Sequence, residues 1–178
     1  MNFDKNDVLN ATKNNKEAFA NLYDDIYADL FKMAFYIMGN KELAEDVVSE
    51  TVLDAYKGIS SLKEIDKFEN WILKILTNKC KQSLKIRYSK FSIFNYNARN
   101  INDYELRGTN NISIYEEKTD VTYALEKLSS LDRIIISLCI VEGYKSNEVA
   151  QILSMKPSTV RSRLNRGLAK MKIYLEVK

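Results

Sequence analysis

Pro157 is the only proline in a 178-residue chain that also has just five glycines, so the sequence is almost free of residues that stop a helix or turn a strand. Such a chain is built from helices, and its fold class is all-α. The proline itself sits where a helix tolerates it. It follows Ser154-Met155-Lys156 and precedes Ser158-Thr159-Val160-Arg161-Ser162-Arg163-Leu164-Asn165-Arg166. At a first helical position the missing N–H costs nothing and the fixed φ is already helical. Val160, Leu164, Leu168 and Met171 then recur at helical spacing and predict a buried stripe. Just upstream, Val149, Ala150, Ile152 and Leu153 give a shorter helix its own apolar side. Two short helices joined by a tight turn predict a helix-turn-helix.

Outside that stripe the second helix carries Ser158, Thr159, Arg161, Ser162, Arg163, Asn165, Arg166 and Lys170, a row of donors without a carboxylate. Arg bonds guanine bidentately and Asn bonds adenine, so a DNA major groove suits this surface. A solvated basic helix in any bundle has the same composition. The preceding short helix and turn favour the DNA-docking reading.

Hydrophobic residues make up 46% of the sequence, enough for packed cores in one domain or two small ones. No run of some eighteen apolar residues occurs, and Met1-Asn2-Phe3-Asp4-Lys5-Asn6-Asp7 lacks the basic and apolar regions of a signal peptide. A cytoplasmic location is expected. Cys80 and Cys139 lie in apolar helical patterns and read as free, buried thiols. Histidine is absent, which removes the commonest general base and, with two cysteines, any usual zinc site. No cofactor, metal or small-molecule substrate is expected, and catalysis would fall to carboxylates alone.

Charge is distributed in blocks. Six cations face eleven carboxylates over residues 1–62, nine face three over 63–99, three face six over 100–130, and nine face four over 131–178. Two basic blocks predict two separate contacts with a polyanion, while the acidic first block is suited to another partner.

In chain order, a helix from Glu17 to Ile37 is expected to bury Phe19, Leu22, Tyr23, Ile26, Leu30, Met33, Ala34 and Ile37, and Gly39-Asn40 ends it. A second, Lys41 to Tyr56, places Leu43, Ala44, Val47, Val48, Val52 and Ala55 inside and Glu42, Glu45, Asp46, Ser49, Glu50 and Asp54 outside. That acidic face serves equally as a solvated surface or as a dock for a basic protein. A loop over Lys57 to Lys67 leads to a third helix, Phe68 to Arg87, which buries Phe68, Trp71, Ile72, Ile75, Leu76, Cys80 and Leu84. Its other face shows Lys74, Asn78, Lys81, Gln82 and Lys85, amides and cations fit to hold an unstacked base and its phosphates. Trp71 reads as core rather than as a stacking platform. From Tyr88 to Asp120 the apolar pattern lapses and a linker is expected. Helices at Val121 to Leu128 and Asp132 to Val141 support the helix-turn-helix.

The acidic Ala44-Glu45-Asp46-Val47-Val48 helix, Phe68-x-x-Trp71 with Asn78, and the pairing of Glu148-Val149-Ala150 with Ser158-Thr159-Val160-Arg161-Ser162-Arg163-Leu164 together resemble the extracytoplasmic-function sigma factors of bacterial RNA polymerase. The resemblance spans nearly the whole chain apart from its middle. It implies two small helical domains joined by a flexible linker: residues 1–87 as sigma region 2, 88–120 as linker and 121–178 as sigma region 4. Region 2 would bind the clamp helices of the polymerase beta-prime subunit through Glu42, Glu45, Asp46, Ser49, Glu50 and Asp54. It would read and open the minus-ten element through Lys74, Asn78, Lys81, Gln82 and Lys85. Region 4 would meet the flap of the beta subunit and read the minus-thirty-five element through Lys145, Lys156, Ser158, Thr159, Arg161, Ser162, Arg163, Asn165 and Arg166. The partners implied are core RNA polymerase, promoter DNA and an anti-sigma factor, and no catalytic activity is implied. Ser154 stands where the family usually has glycine, Lys156 where it has a serine-like helix cap, Ser49 where it often has glutamine and Gln82 where it often has aspartate.

Two other readings remain at the level of residues. One is a stand-alone duplex-binding regulator acting as a dimer, against which the charged face of the second helix counts. The other is a helical enzyme using Glu45, Asp46 and Glu50 on a metal, for which no histidine and no ligand from a neighbouring helix is evident.

Overall fold

The computed structural model describes residues 1–97 and 119–176, with side chains described for all of these except 87–97. The described residues form α1 (Lys5–Thr12), α2 (Lys16–Met38), α3 (Lys41–Gly58), two short 3-10 turns (Ile59–Ser61 and Ile65–Lys67) and α4 (Phe68–Asn97). They continue as α5 (Asp120–Glu126), α6 (Ser130–Ile136), a π turn (Ser137–Val141), α7 (Ser146–Ile152) and α8 (Pro157–Glu176). No strand occurs among them, and none of the helices is long and apolar enough to cross a membrane.

Short polar side chains fix where the helices begin. The Asn15 side chain accepts from the backbone N–H of Glu17 and Ala18 at 3.0 and 3.1 Å, and that of Asn40 from Leu43 at 2.8 Å. Asp4, Thr119 and Ser129 cap α1, α5 and α6 in the same way. Each such bond satisfies a donor that the helix itself leaves unpaired. Gly39 ends α2 in the left-handed conformation, φ 68°.

α2, α3 and α4 pack as one bundle around Leu22, Leu30, Met33, Ile37, Val48, Phe68, Ile72 and Leu76, and α1 closes its open end with Val8 and Ala11. α5 to α8 form a second bundle, in which Leu125, Ile136 and Met171 make a satellite cluster. The two are packed against each other. The main cluster of buried side chains runs without a break from α1–α4 into Ile134, Ile135, Leu138, Val149 and Val160.

α1 carries too short an apolar pattern to stand out in the sequence. Three expectations change. The loop after α3 contains two 3-10 turns. α4 continues to Asn97 rather than ending at Arg87, and no proline or glycine interrupts residues 68–97. The first part of the expected linker is therefore helical, and the rest of it, residues 98–118, lies outside the described residues. Leu168 is exposed, while Gly167 takes the buried position on α8. A Cβ on Gly167 would come within 2.6 Å of Ile136 Cδ1, so α6 and α8 touch where a side chain is missing.

Candidate nucleic-acid and partner interfaces

α7 and α8 form the helix-turn-helix. α7 ends in a reciprocal pair of bonds, Met155 N–H to Ala150 O at 2.8 Å and Ser154 N–H to Gln151 O at 3.2 Å. This Schellman closure requires a left-handed residue between them, and Ser154 fills it at φ 53°. A residue with a Cβ loses about 1 kcal/mol in this conformation relative to glycine. Ser154→Gly is therefore expected to stabilise the chain by up to about 1 kcal/mol, seen as a higher denaturant midpoint at unchanged slope. At the other end of α7, Glu148 Oε2 accepts from the Lys145 N–H at 2.7 Å and fixes the helix start.

Val160 and Met171 anchor α8 to the rest of the bundle. Lys156, Ser158, Thr159, Arg161, Ser162, Asn165 and Arg166 are all exposed along α8 and the turn before it, and Lys145 is exposed ahead of α7. Arg163 is different. It is half-buried and its Nη1 donates to Asp132 Oδ1 at 2.8 Å, tying α8 to α6. Burial alone would raise the Asp132 carboxyl pKa, but the Ser129 hydroxyl, Arg163 and Lys170 outweigh it and hold the group below its ordinary value. Arg163 thus has a packing role that its spacing in the sequence does not reveal.

On α4, Lys74, Asn78, Gln82 and Lys85 are exposed and Lys81 is half-buried on the same face. Spacings of three and four residues stack them along one side of the helix. Burial of Lys81, with the Lys74 charge nearby, lowers the Lys81 pKa. Trp71 is half-buried and packs against Phe68, with ring centroids 6.0 Å apart, which places it in the bundle wall.

All six residues expected on the acidic face of α3 are exposed: Glu42, Glu45, Asp46, Ser49, Glu50 and Asp54. A shallow groove of about 380 Å³ lined by Phe19, Tyr23, Ser49 and Val52 runs beside them. Lys79, which the sequence reading passed over, reaches from α4 to Asp54 at 2.8 Å and Glu50 at 3.4 Å. Its hydrogen bond holds the Asp54 carboxyl below its ordinary pKa, and Asp54 in turn raises that of Lys79. Two of the carboxylates are thereby tied down, leaving Glu42, Glu45 and Asp46 toward the start of the helix.

Two family models divide the chain along the same lines, sigma-70 region 2 matching residues 22–88 and sigma-70 region 4 matching residues 118–171. The chain belongs to the sigma-70 family, in its extracytoplasmic-function group. The region 2 match covers α2 to the middle of α4, and the region 4 match covers α5 to α8. Among its relatives are two sigma factors of Bacillus subtilis (strain 168). The ECF RNA polymerase sigma factor SigX is 23% identical over 91% of this chain and 86% of its own. The ECF RNA polymerase sigma factor SigW is 25% identical over 92% and 91%. Solved structures share the fold. CnrH, in a structure with the cytosolic domain of CnrY, superposes with a TM-score of 0.69 at 20% identity over 98% of both chains. The sigma factor RpoE of Bartonella quintana, solved with the anti-sigma factor NepR, gives 0.65 at 20% identity over 88% of this chain and 95% of that one. As a sigma factor, this chain has a role in promoter-specific transcription initiation.

Proposed function

We propose that this sigma factor binds core RNA polymerase through α3 and directs it to promoters by reading the minus-ten element with α4 and the minus-thirty-five element with α8. It acts without a reaction of its own. The observation that carries this reading is the opposition of surfaces: α4 and α8 each expose an uninterrupted row of cations, amides and hydroxyls, while α3 exposes carboxylates that DNA phosphates would repel. Residues 1–87 serve as the minus-ten and polymerase-binding part, 88–120 as the connection and 121–178 as the minus-thirty-five part. Glu42, Glu45, Asp46 and Ser49 face the clamp helices of the beta-prime subunit, with Glu50 and Asp54 sharing their charge with Lys79. The second bundle meets the flap of the beta subunit.

Within α4, Asn78 reads an extruded base, since an amide both donates to and accepts from a base edge. Lys74, Lys81 and Lys85 hold the backbone, Gln82 lies alongside, and the segment from Ser60 to Lys67 closes the pocket. Asn78→Ala is expected to weaken open-complex formation at least tenfold while leaving closed-complex binding within twofold, measured by permanganate footprinting against filter binding. Equal loss of both removes this assignment. Within α8, Arg161, Ser162, Asn165 and Arg166 reach base edges, and Lys145, Lys156, Ser158 and Thr159 meet phosphates. Arg163 reaches phosphate only by sharing the charge it gives to Asp132. An anti-sigma factor is a further partner, a reading supported by the protein partners of the two solved relatives. Run-off transcription tests the whole: core polymerase alone should give no promoter-specific product, and adding the chain should produce one.

A further inference from the structure

Glu42, Asp46, Glu50 and Asp54 follow one another at steps of four, so they stack as a single ridge along α3. Glu42 and Asp46, its first half, are exposed. The second half is held from behind by Lys79 of α4, whose Nζ lies 2.8 Å from Asp54 Oδ2 and 3.4 Å from Glu50 Oε2. Carboxylates four apart on a helix repel each other, and those near a helix C-terminus also meet the negative end of its dipole. Asp54 stands in the last turn but one of α3. One ammonium between Glu50 and Asp54 relieves both effects, and Lys57 in the last turn adds a weaker attraction for Asp54.

Lys79 does not belong to the cationic row of α4. Its neighbour Asn78 lies in that row, and one residue further along the helix the direction turns by about 100°, toward α3. Nor is the bridge needed to join the two helices, which already pack through Val48, Phe68, Ile72 and Leu76. Ion pairs between partly solvated groups add little to such packing.

Exposure differs across the bridge. The Lys79 side chain is 19% exposed, those of Asp54 and Glu50 46% and 63%. The ammonium therefore approaches from the bundle side, and both carboxylates stay open to a cation arriving from solvent. A guanidinium grips a carboxylate with two parallel bonds, while an ammonium on a flexible stem acts as a point charge. An arriving cation and Lys79 thus contend for the same oxygens.

We propose that Lys79 is an internal competitor for the polymerase dock: its ammonium holds Glu50 and Asp54 in the free chain and is displaced when a basic surface of the core enzyme seats on α3, so its grip sets how tightly the chain binds core. The proposal rests on the assignment of α3 as the docking face. Lys79 touches no DNA in it and acts only through the two carboxylates.

Two substitutions with opposite expected signs test this in the full-length chain, titrated with core RNA polymerase and read by fluorescence anisotropy across a salt series. Lys79→Met keeps an apolar stem and removes the charge. Two partly exposed ion pairs together amount to a few-fold in an equilibrium, so it should raise the affinity for core about threefold to tenfold and steepen the salt dependence. Lys79→Arg, with its stronger grip on the carboxylates, should lower that affinity at least twofold. A bridge that only braced α4 against α3 gives the reverse order, arginine neutral and methionine weakening. In a chain carrying Glu50→Gln with Asp54→Asn, Lys79→Met should no longer change the affinity. If circular dichroism shows that Lys79→Met fails to fold, Lys79→Gln replaces it with the same expected gain. Unchanged or weaker core binding by the folded neutral variant overturns the proposal, as does a gain that persists without the two carboxylates. Glu45→Arg with Asp46→Arg serves as the control. If that reversal leaves core affinity unchanged, α3 is not the docking face and the proposal falls with that reading; if it weakens binding while the Lys79 variants do not behave as stated, the proposal alone falls.

Discussion

Glu45→Arg combined with Asp46→Arg is expected to lower the affinity of this chain for core RNA polymerase at least a hundredfold without unfolding it. Both side chains are exposed in the second turn of α3, past the Asn40 cap and ahead of the bridge that Lys79 makes to Glu50 and Asp54. Reversal there leaves the packing of α3 on α2 and α4 intact. It turns attraction for a basic partner into repulsion, and like charges set opposite one another across an interface cost several kcal/mol. A loss of about 3 kcal/mol corresponds to roughly a hundredfold in affinity. Fluorescence anisotropy of labelled chain titrated with core enzyme reads the change, and circular dichroism confirms the fold. Wild-type affinity in the folded double variant would remove α3 as the docking face.

Arg166→Ala should cost about 1 to 3 kcal/mol on the preferred promoter and relax selectivity at one base pair of the minus-thirty-five element. Arg166 is exposed two helical turns beyond Thr159, on the free side of α8, and among the described residues no carboxylate pairs with it as Asp132 does with Arg163. Lys156→Ala makes the comparison. It stands before the helix, where phosphates are in reach, so it should weaken all sequences alike and flatten the salt dependence by about one unit. Competition binding of holoenzyme to single-substitution promoters separates the two. Uniform weakening by Arg166→Ala would move that residue to the backbone class.

Most of the helical plan was legible because its signals are local. The apolar stripes of α2 and α3, the end of α2 at Gly39, the acidic face of α3 and the cationic face of α4 follow from spacing and from one glycine. The end of α4 differs from the expectation because a fall in apolar periodicity resembles a loop, although no glycine or proline interrupts the helix before residue 97. On α8 the buried position at Gly167 carries no hydropathy signal, so Leu168 was assigned to the core in its place. The ties of Lys79 to α3, Arg163 to Asp132 and the buried Arg133 of α6 to the Ile37 carbonyl join residues far apart in the chain. A charge in the sequence looks the same whether it faces water, phosphate or a carbonyl. What distinguishes Arg133 is burial, and burial of a charge depends on tertiary packing that no local pattern reports.

The central claim is that this chain reads promoters as a subunit of the polymerase rather than alone. A small bundle such as α5 to α8 buries little DNA surface, so its affinity must be augmented by a second contact within the same assembly. The decisive measurement compares promoter affinity of the isolated chain with that of the reconstituted holoenzyme across a salt series. Weak, strongly salt-dependent and sequence-indifferent binding by the chain alone, with tight sequence-specific binding by the holoenzyme, is the predicted result. Tight, sequence-specific binding by the free chain as a dimer would contradict it.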